Sequence, residues 1–210
     1  RPASTRSSSA MERWRSGLRR PWSGLAFVVL VVLHTIAVSA SGWFPTLDGP
    51  AHVYNARIIA ELLSGDVFVG RFFGVNPFPE PNWLGHAIMA GTLFIAPAQI
   101  AERVLMLLYV VGLPLAFRFA LRRLGARTDW PALLVFPFIY CFTFRIGFLN
   151  FSLGFPLLLV AIGLGRSFAQ HTGRKGWVLA LVLLALYFAH LTCFLLAFAL
   201  LIAQPIWNAI

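Results

Sequence analysis

Long apolar runs separated by short polar joints lay out this chain, and the joints alternate between basic and acidic. The first run, Trp22 to Ser41, is long enough at roughly 1.5 Å per residue to cross a hydrocarbon core of about 30 Å. Six arginines precede it (Arg1, Arg6, Arg13, Arg15, Arg19, Arg20). A basic flank before an apolar run also describes a signal peptide, but the length predicts a retained anchor with a cytoplasmic N-terminus.

Hydropathy falls between Trp43 and Asn82, where Asp48, Glu61, Asp66 and Glu80 face only Arg57 and Arg71, which predicts an outer loop spanning 42–82. Within AHVYNARIIAELLSG the residues Val53, Ala56, Ile59, Ala60 and Leu63 recur at spacings of three and four, predicting an amphipathic interfacial helix that ends at Gly65. The following FFGVNPFPEPNW carries three prolines and is expected to be irregular.

Trp83 to Ala96 is short for a crossing, whereas Val104 to Ala120 is long enough. Counting only the second as a span keeps Arg118, Arg122, Arg123 and Arg127 inside, so an interfacial or partly inserted helix is expected to precede it. Trp130 to Phe144 is expected to return outward as a span kinked at Pro137, leaving Arg145 to Asn150 in an outer turn. Phe151 to Leu164 then runs inward to a basic loop with Arg166, His171, Arg174 and Lys175. The last run, Trp177 to Ile206, has His190 and Thr192 near its middle and reads as one tilted helix or, preferably, two short helices hinged at Ala189 to Thr192. The expected fold is all-α: a polytopic transmembrane bundle of five to six spans over 21–210, behind a basic cytoplasmic tail over 1–20.

Composition supports the membrane reading, because a chain that is 59% hydrophobic and only 11% charged, with a mean hydropathy of +0.79, has too little polar surface to cover a soluble core. The net charge of +10 would suggest nucleic acid, but the arginines sit where they set topology, so no nucleic-acid partner is expected. Cys141 and Cys193 lie inside apolar runs without metal-type spacing and read as small buried hydrophobes. The chain opens on Arg1 with Met11 the expected start, and its last run has no closing loop. It is therefore expected to be the N-terminal part of a longer protein and catalytically incomplete by itself.

Few polar residues remain for chemistry. Asp48, in LDGPAH at the mouth of the predicted outer helix, is placed to deprotonate or orient a hydroxyl, and equally placed to cap that helix ahead of Pro50. His52 and His86 with Asp48 or Glu80 could hold a divalent cation, although no HExxH-like cluster is present, and hydrogen bonding at the interface is the plainer role. Arg145, Asn150 and His190 carry polar side chains at or near membrane depth, where such groups face a cavity or a partner. Together with Glu80 and Asn82 they complete the substrate-side candidates. His34, alone in the first run, reads as a packing residue. There is no P-loop, GxGxxG or nucleophile elbow, so a donor drawn from the bilayer suits the chain better than a soluble nucleotide.

The arrangement resembles the polyprenyl-phosphate-dependent glycosyltransferases of the GT-C fold, the group that includes protein O-mannosyltransferases and bacterial aminoarabinose transferases. The resemblance covers roughly residues 20 to 205. It rests on Asp48 in LDGPAHVYNARIIAELLSG, on the Pro-rich joint and second outer helix in FPEPNWLGHAIMAGTLF, and on the inward run AERVLMLLYVVGLPLAFRFALRRLGA. Where the family has an Asp five residues after an Arg, this chain has Asn150 after Arg145, and His190 in YFAHLTCF replaces a Thr-Lys-Gly break. The resemblance implies a lipid-linked sugar donor, Asp48 as the base acting on the acceptor, and Arg145 on the phosphate side. A metal-assisted version is not implied, since an amide at Asn150 replaces the carboxylate. It also implies an integral protein of a bacterial inner membrane. A transporter or flippase is the main alternative, and a non-catalytic membrane protein the third.

Overall fold

The computed structural model describes residues 22–165 and 174–209; the N-terminal tail over 1–20 and the loop residues Arg166 and His171 lie outside them. The described residues are helical, with no strand among them. Two helices are long and apolar enough to cross a membrane by length and composition, α1 (Trp22–Ala40) and α4 (Ala98–Arg123). Little of α1 is buried, and Leu25, Val28, Val29, Val32, Leu33 and Ile36 form an exposed apolar face. That surface suits a lipid environment and would be costly in water.

Between them lie α2 (Gly49–Leu63), a single 3-10 turn (Val69–Arg71), an irregular stretch and α3 (Leu84–Leu93). Helix α2 follows the predicted periodicity: Ala56 and Ala60 are buried and Val53 and Ile59 pack on the core, while Leu63 is exposed. At ten residues, α3 is too short to cross a bilayer.

The segment after α4 departs from expectation. Trp130–Phe144 does return to the opposite end of the bundle, but as a 3-10 helix (Trp130–Phe138), a break and the short α5 (Phe142–Ile146) rather than as one kinked helix. Pro131 opens the segment, where its missing N–H costs no intrahelical bond, and Pro137 removes one donor inside it, as Pro114 does inside α4 and Pro156 inside the next long helix. Helix α6 (Leu149–Gly165) follows, and the last run divides into α7 (Arg174–Ala189) and α8 (Leu191–Ala209), hinged at His190 within the expected interval.

The core packs around α4. Its Leu105, Met106, Tyr109 and Val110 are buried with Phe27, Val38, Met89, Phe136, Ile139 and Phe144. Glycines let α4 and α6 approach closely: a methyl on Gly163 would lie 2.6 Å from the Phe119 ring, and Gly112 faces Pro156. A second cluster, including Leu158, Leu186 and Cys193, joins α6 to α7 and α8.

Polar groups gather at the two ends of the α1/α4 pair. At one end Arg118 and Arg122 both bond Asp129, at 2.8 and 2.7 Å, and Arg118 also lies over the Phe27 ring. At the other, Arg103 donates to the carbonyl of Ser41 at 2.6 Å. Between the ends His34 meets the Tyr140 hydroxyl at 3.2 Å and stacks on Phe136, which is a packing role.

Candidate functional site

The site is built where the start of α2 meets the turn between α5 and α6. The Leu47 N–H donates to the Arg145 carbonyl at 3.3 Å and the Asp48 N–H to that of Ile146 at 2.8 Å. Gly147 follows in the left-handed region at φ 98°, which ends α5 and turns the chain into α6. The backbone of Leu47–Asp48 is thereby held against that of Arg145–Ile146, although the two segments lie far apart in sequence.

Asp48 occupies the N-cap position of α2, but its side chain makes no capping hydrogen bond. Its half-buried carboxylate enters no ion pair or side-chain hydrogen bond among the described residues. Arg145 is exposed, and its guanidinium likewise has no partner among them. A carboxylate and a guanidinium are thus presented from adjoining chain segments with no partner among the described residues.

One turn into α2, His52 Nε2 lies 2.9 Å from the Gly147 carbonyl and its Nδ1 lies 3.0 Å from His86 Nε2. His86 Nδ1 in turn faces the Asn82 carbonyl at 3.2 Å. Burial lowers the affinity of both imidazoles for a proton; the Gly147 carbonyl and the charge of Asp48 partly restore it at His52, while His52 lowers it further at His86.

Asn150, buried at the start of α6, fixes the other side of this cluster. Its Oδ1 accepts from the Gly85 N–H at 2.7 Å and its Nδ2 donates to the Asn82 carbonyl at 2.6 Å. Residue 85 must be glycine, because a methyl there would lie 2.6 Å from Asn150 Oδ1. Asn82 is the one non-glycine residue with positive φ among those described, at 67°.

Six of the eight predicted site residues therefore come together: Asp48, His52, Asn82, His86, Arg145 and Asn150. Glu80 stands apart, bonded to Asn76 on the wall of a groove of about 480 Å³ lined chiefly by Val75, Phe78, Trp83, Leu184 and Phe188. The loop forming that wall is tied down by Trp83 N–H to Phe188 carbonyl and by the Tyr187 hydroxyl to Pro79 carbonyl, both at 2.8 Å. His190 is also separate, packed edge-on against Phe151 at the hinge, and its buried Nδ1 has no partner among the described residues.

Among the described residues no three His, Cys, Asp or Glu side chains gather as metal ligands. Of the proposed set His52 and His86 do meet, but their ring nitrogens face one another and two carbonyl oxygens. That set, two imidazoles and two backbone carbonyls, lacks the third side-chain ligand of a zinc site.

Two residues escaped the sequence reading. Glu102, near the start of α4, is 2% exposed without an ion pair among the described residues, and a methyl on Gly49 would lie 2.6 Å from its Oε1 while overlapping the Thr46 hydroxyl. It therefore sits against the N-terminus of α2, where a helix favours negative charge. The signal was available, since an ionisable residue opening an apolar run is itself a functional hint. The other is Asp129, the anchor at the opposite end. The chain matches no protein-family model, no curated protein and no solved structure.

Proposed function

We propose that this chain is part of a membrane glycosyltransferase of the GT-C type, moving a sugar from a polyprenyl-phosphate donor to an acceptor at the outer face of a bacterial inner membrane. In this reading residues 21–210 form a bundle of five to six spans with a cytoplasmic N-terminus, and membrane lipids surround it. The carrying observation is the backbone pairing of Leu47–Asp48 with Arg145–Ile146, which presents Asp48, whose carboxylate has no bond among the described residues, and Arg145 from adjoining chain segments, with an apolar groove nearby. Helix α3 divides the two: Gly85 and His86 face the polar cluster, whereas Trp83, Leu84 and Ala87 line the groove. A substrate with a polar reacting end and an apolar tail suits such adjacency.

Chemically, the acceptor oxygen attacks the anomeric carbon as the bond from that carbon to the phosphate oxygen breaks. The acceptor proton passes to Asp48, and the phosphate leaves with the bonding electrons, its charge met by the Arg145 fork. The test is sugar transfer by the full-length protein in membranes with radiolabelled polyprenyl-phosphate sugars. Asp48→Asn keeps the size and removes the proton acceptor, so turnover should fall by about a hundredfold or more with folding intact. Near-normal transfer by Asp48→Asn would overturn the assignment.

A transporter of a lipid-linked or small solute has one observation in its favour, the helix break at His190, whose Nδ1 has no partner among the described residues. Solute uptake or lipid flipping in proteoliposomes that is lost in His190→Ala and kept in Asp48→Asn would select it.

A further inference from the structure

The contacts of His52 and His86 require more protons than two neutral imidazoles possess. Three gaps lie in series: Gly147 O to His52 Nε2 at 2.9 Å, His52 Nδ1 to His86 Nε2 at 3.0 Å, and His86 Nδ1 to Asn82 O at 3.2 Å. Both outer gaps end on carbonyl oxygens, which only accept, so each needs an N–H from the ring beside it. The middle gap needs one more. A neutral imidazole carries one N–H, so the neutral pair fills two gaps and leaves a nitrogen lone pair facing an oxygen or another lone pair.

We infer that His52 and His86 form a proton-binding latch, in which one proton beyond those of the neutral pair completes the chain and fastens the Asn82 turn to the Gly147 turn. The inference stands on hydrogen-bond geometry and does not depend on the proposed reaction.

The gap that opens on deprotonation is the one at Asn82. It is the longest of the three and the exposed one, whereas the other two are partly buried. Asn82 also holds a left-handed backbone, so losing a donor to its carbonyl releases a strained turn while Asn150 still holds it from the other side. The irregular stretch that leads into this turn forms the groove wall, so the proton state of the pair sets how firmly that wall is held.

The charged surroundings are sparse. Helix α2 offers Asp48, which favours the charged pair, and α3 offers no charged side chain besides His86. The turn after α5 offers Arg145, which is exposed. From α4, Glu102 lies against Gly49 and Arg103 is engaged with the Ser41 carbonyl. Glu80, on the loop, is bonded to Asn76, α6 contributes the uncharged Asn150, and from α7 Tyr187 is bonded to Pro79. Burial opposes the extra proton at both rings, so the latch fills below the ordinary imidazole value of 6.5 and is empty above it.

The experiment uses the whole chain in detergent micelles with ¹⁵N-labelled histidine, titrated from about pH 8 to about pH 5. Single substitutions of His34, His171 and His190 assign those three ring signals and leave the other two to His52 and His86. His52 and His86 should shift together at one shared midpoint, with uptake of one proton for the pair. A nitroxide at position 78, introduced as Phe78→Cys in a Cys141→Ala/Cys193→Ala background, should be slowed at the acid end, and that difference should vanish in His86→Leu. Separate titrations at ordinary imidazole values would overturn the inference, as would a nitroxide indifferent to pH or one whose response survives His86→Leu. The titration needs no substitution at the site itself, so a folding failure of His86→Leu leaves the test decisive.

Discussion

Gly147 lies directly against Asp48: a methyl on its α-carbon would come within 2.9 Å of the Asp48 nitrogen, and its φ is already 98°. Gly147→Ala therefore meets both a strained backbone and a clash with main chain that cannot rotate away. A loss of about 1–3 kcal/mol is expected. Gly65→Ala is the internal control, since that residue shares the positive φ, at 78°, but has nothing within 4 Å. Thermal unfolding of the two variants in detergent should show the larger fall in Tm for Gly147→Ala; equal falls would mean that the approach to Asp48 contributes nothing.

Asn150 must be an amide because it both accepts and donates. An aspartate there could still accept from Gly85, but it would turn an oxygen toward the Asn82 carbonyl where Nδ2 now donates at 2.6 Å. Asn150→Asp is expected to cost about 1–3 kcal/mol, no less than Asn150→Ala, because a buried like-polarity contact replaces a bond. A Tm for Asn150→Asp at or above the parent would show that the site tolerates the carboxylate.

The sequence was legible wherever one element decides its own fate. Apolar runs and their Pro or Gly joints located α1, α2, α4, α6 and the hinge at His190, since length and periodicity are local properties. At Trp130–Phe144 hydropathy gave the direction of the run but not its 3-10 winding, because apolar character does not distinguish one helical hydrogen-bond pattern from another. The site residues could be named singly but not joined. His52 and His86 are 34 positions apart on different helices, and nothing periodic in either helix announces that their rings meet. Asp48 showed the reverse: the N-cap position was readable, whereas the absence of a capping bond depends on the α5–α6 turn that holds its backbone.

Asp129 should govern acid stability at the far end of the bundle. The Arg118 fork first, and Arg122 after it, hold its carboxyl below the ordinary value of 3.8 despite burial. A carboxyl depressed in the folded state adds stability that is fully present above the unfolded value and is lost as pH falls toward the folded one. Asp129→Asn should cost about 1–3 kcal/mol near neutral pH, kept at this scale because both arginines are partly exposed to solvent. The gap between parent and variant should then narrow below about pH 4. Unfolding curves whose separation is the same at pH 3 and pH 7 would remove the ion pair from the account.

Helix direction makes the topology testable. Helix α1 runs from Gly24, beside Asp129, to its end just before Ser41, which bonds Arg103, and α4 runs the opposite way between the same two ends. Helix α6 runs alongside α4, since Gly112 meets Pro156 and Gly163 meets Phe119. The end of α7 returns to the site end, where Phe188 accepts from Trp83. Residues 42–82 and 145–150 therefore share one end, and residues 122–129 occupy the other. If the bundle crosses a membrane, a cysteine at position 66 and one at position 125 must react with impermeant maleimide from opposite sides. The arginines at 118, 122, 123 and 127 predict that position 125 is the cytoplasmic one. The assay uses single cysteines in a Cys141→Ala/Cys193→Ala background in intact cells and in lysed cells. Position 66 should label in both, position 125 only after lysis. Labelling of position 125 in intact cells would reverse the orientation and move Asp48 to the cytoplasmic face, and labelling of both would remove the spans that separate them.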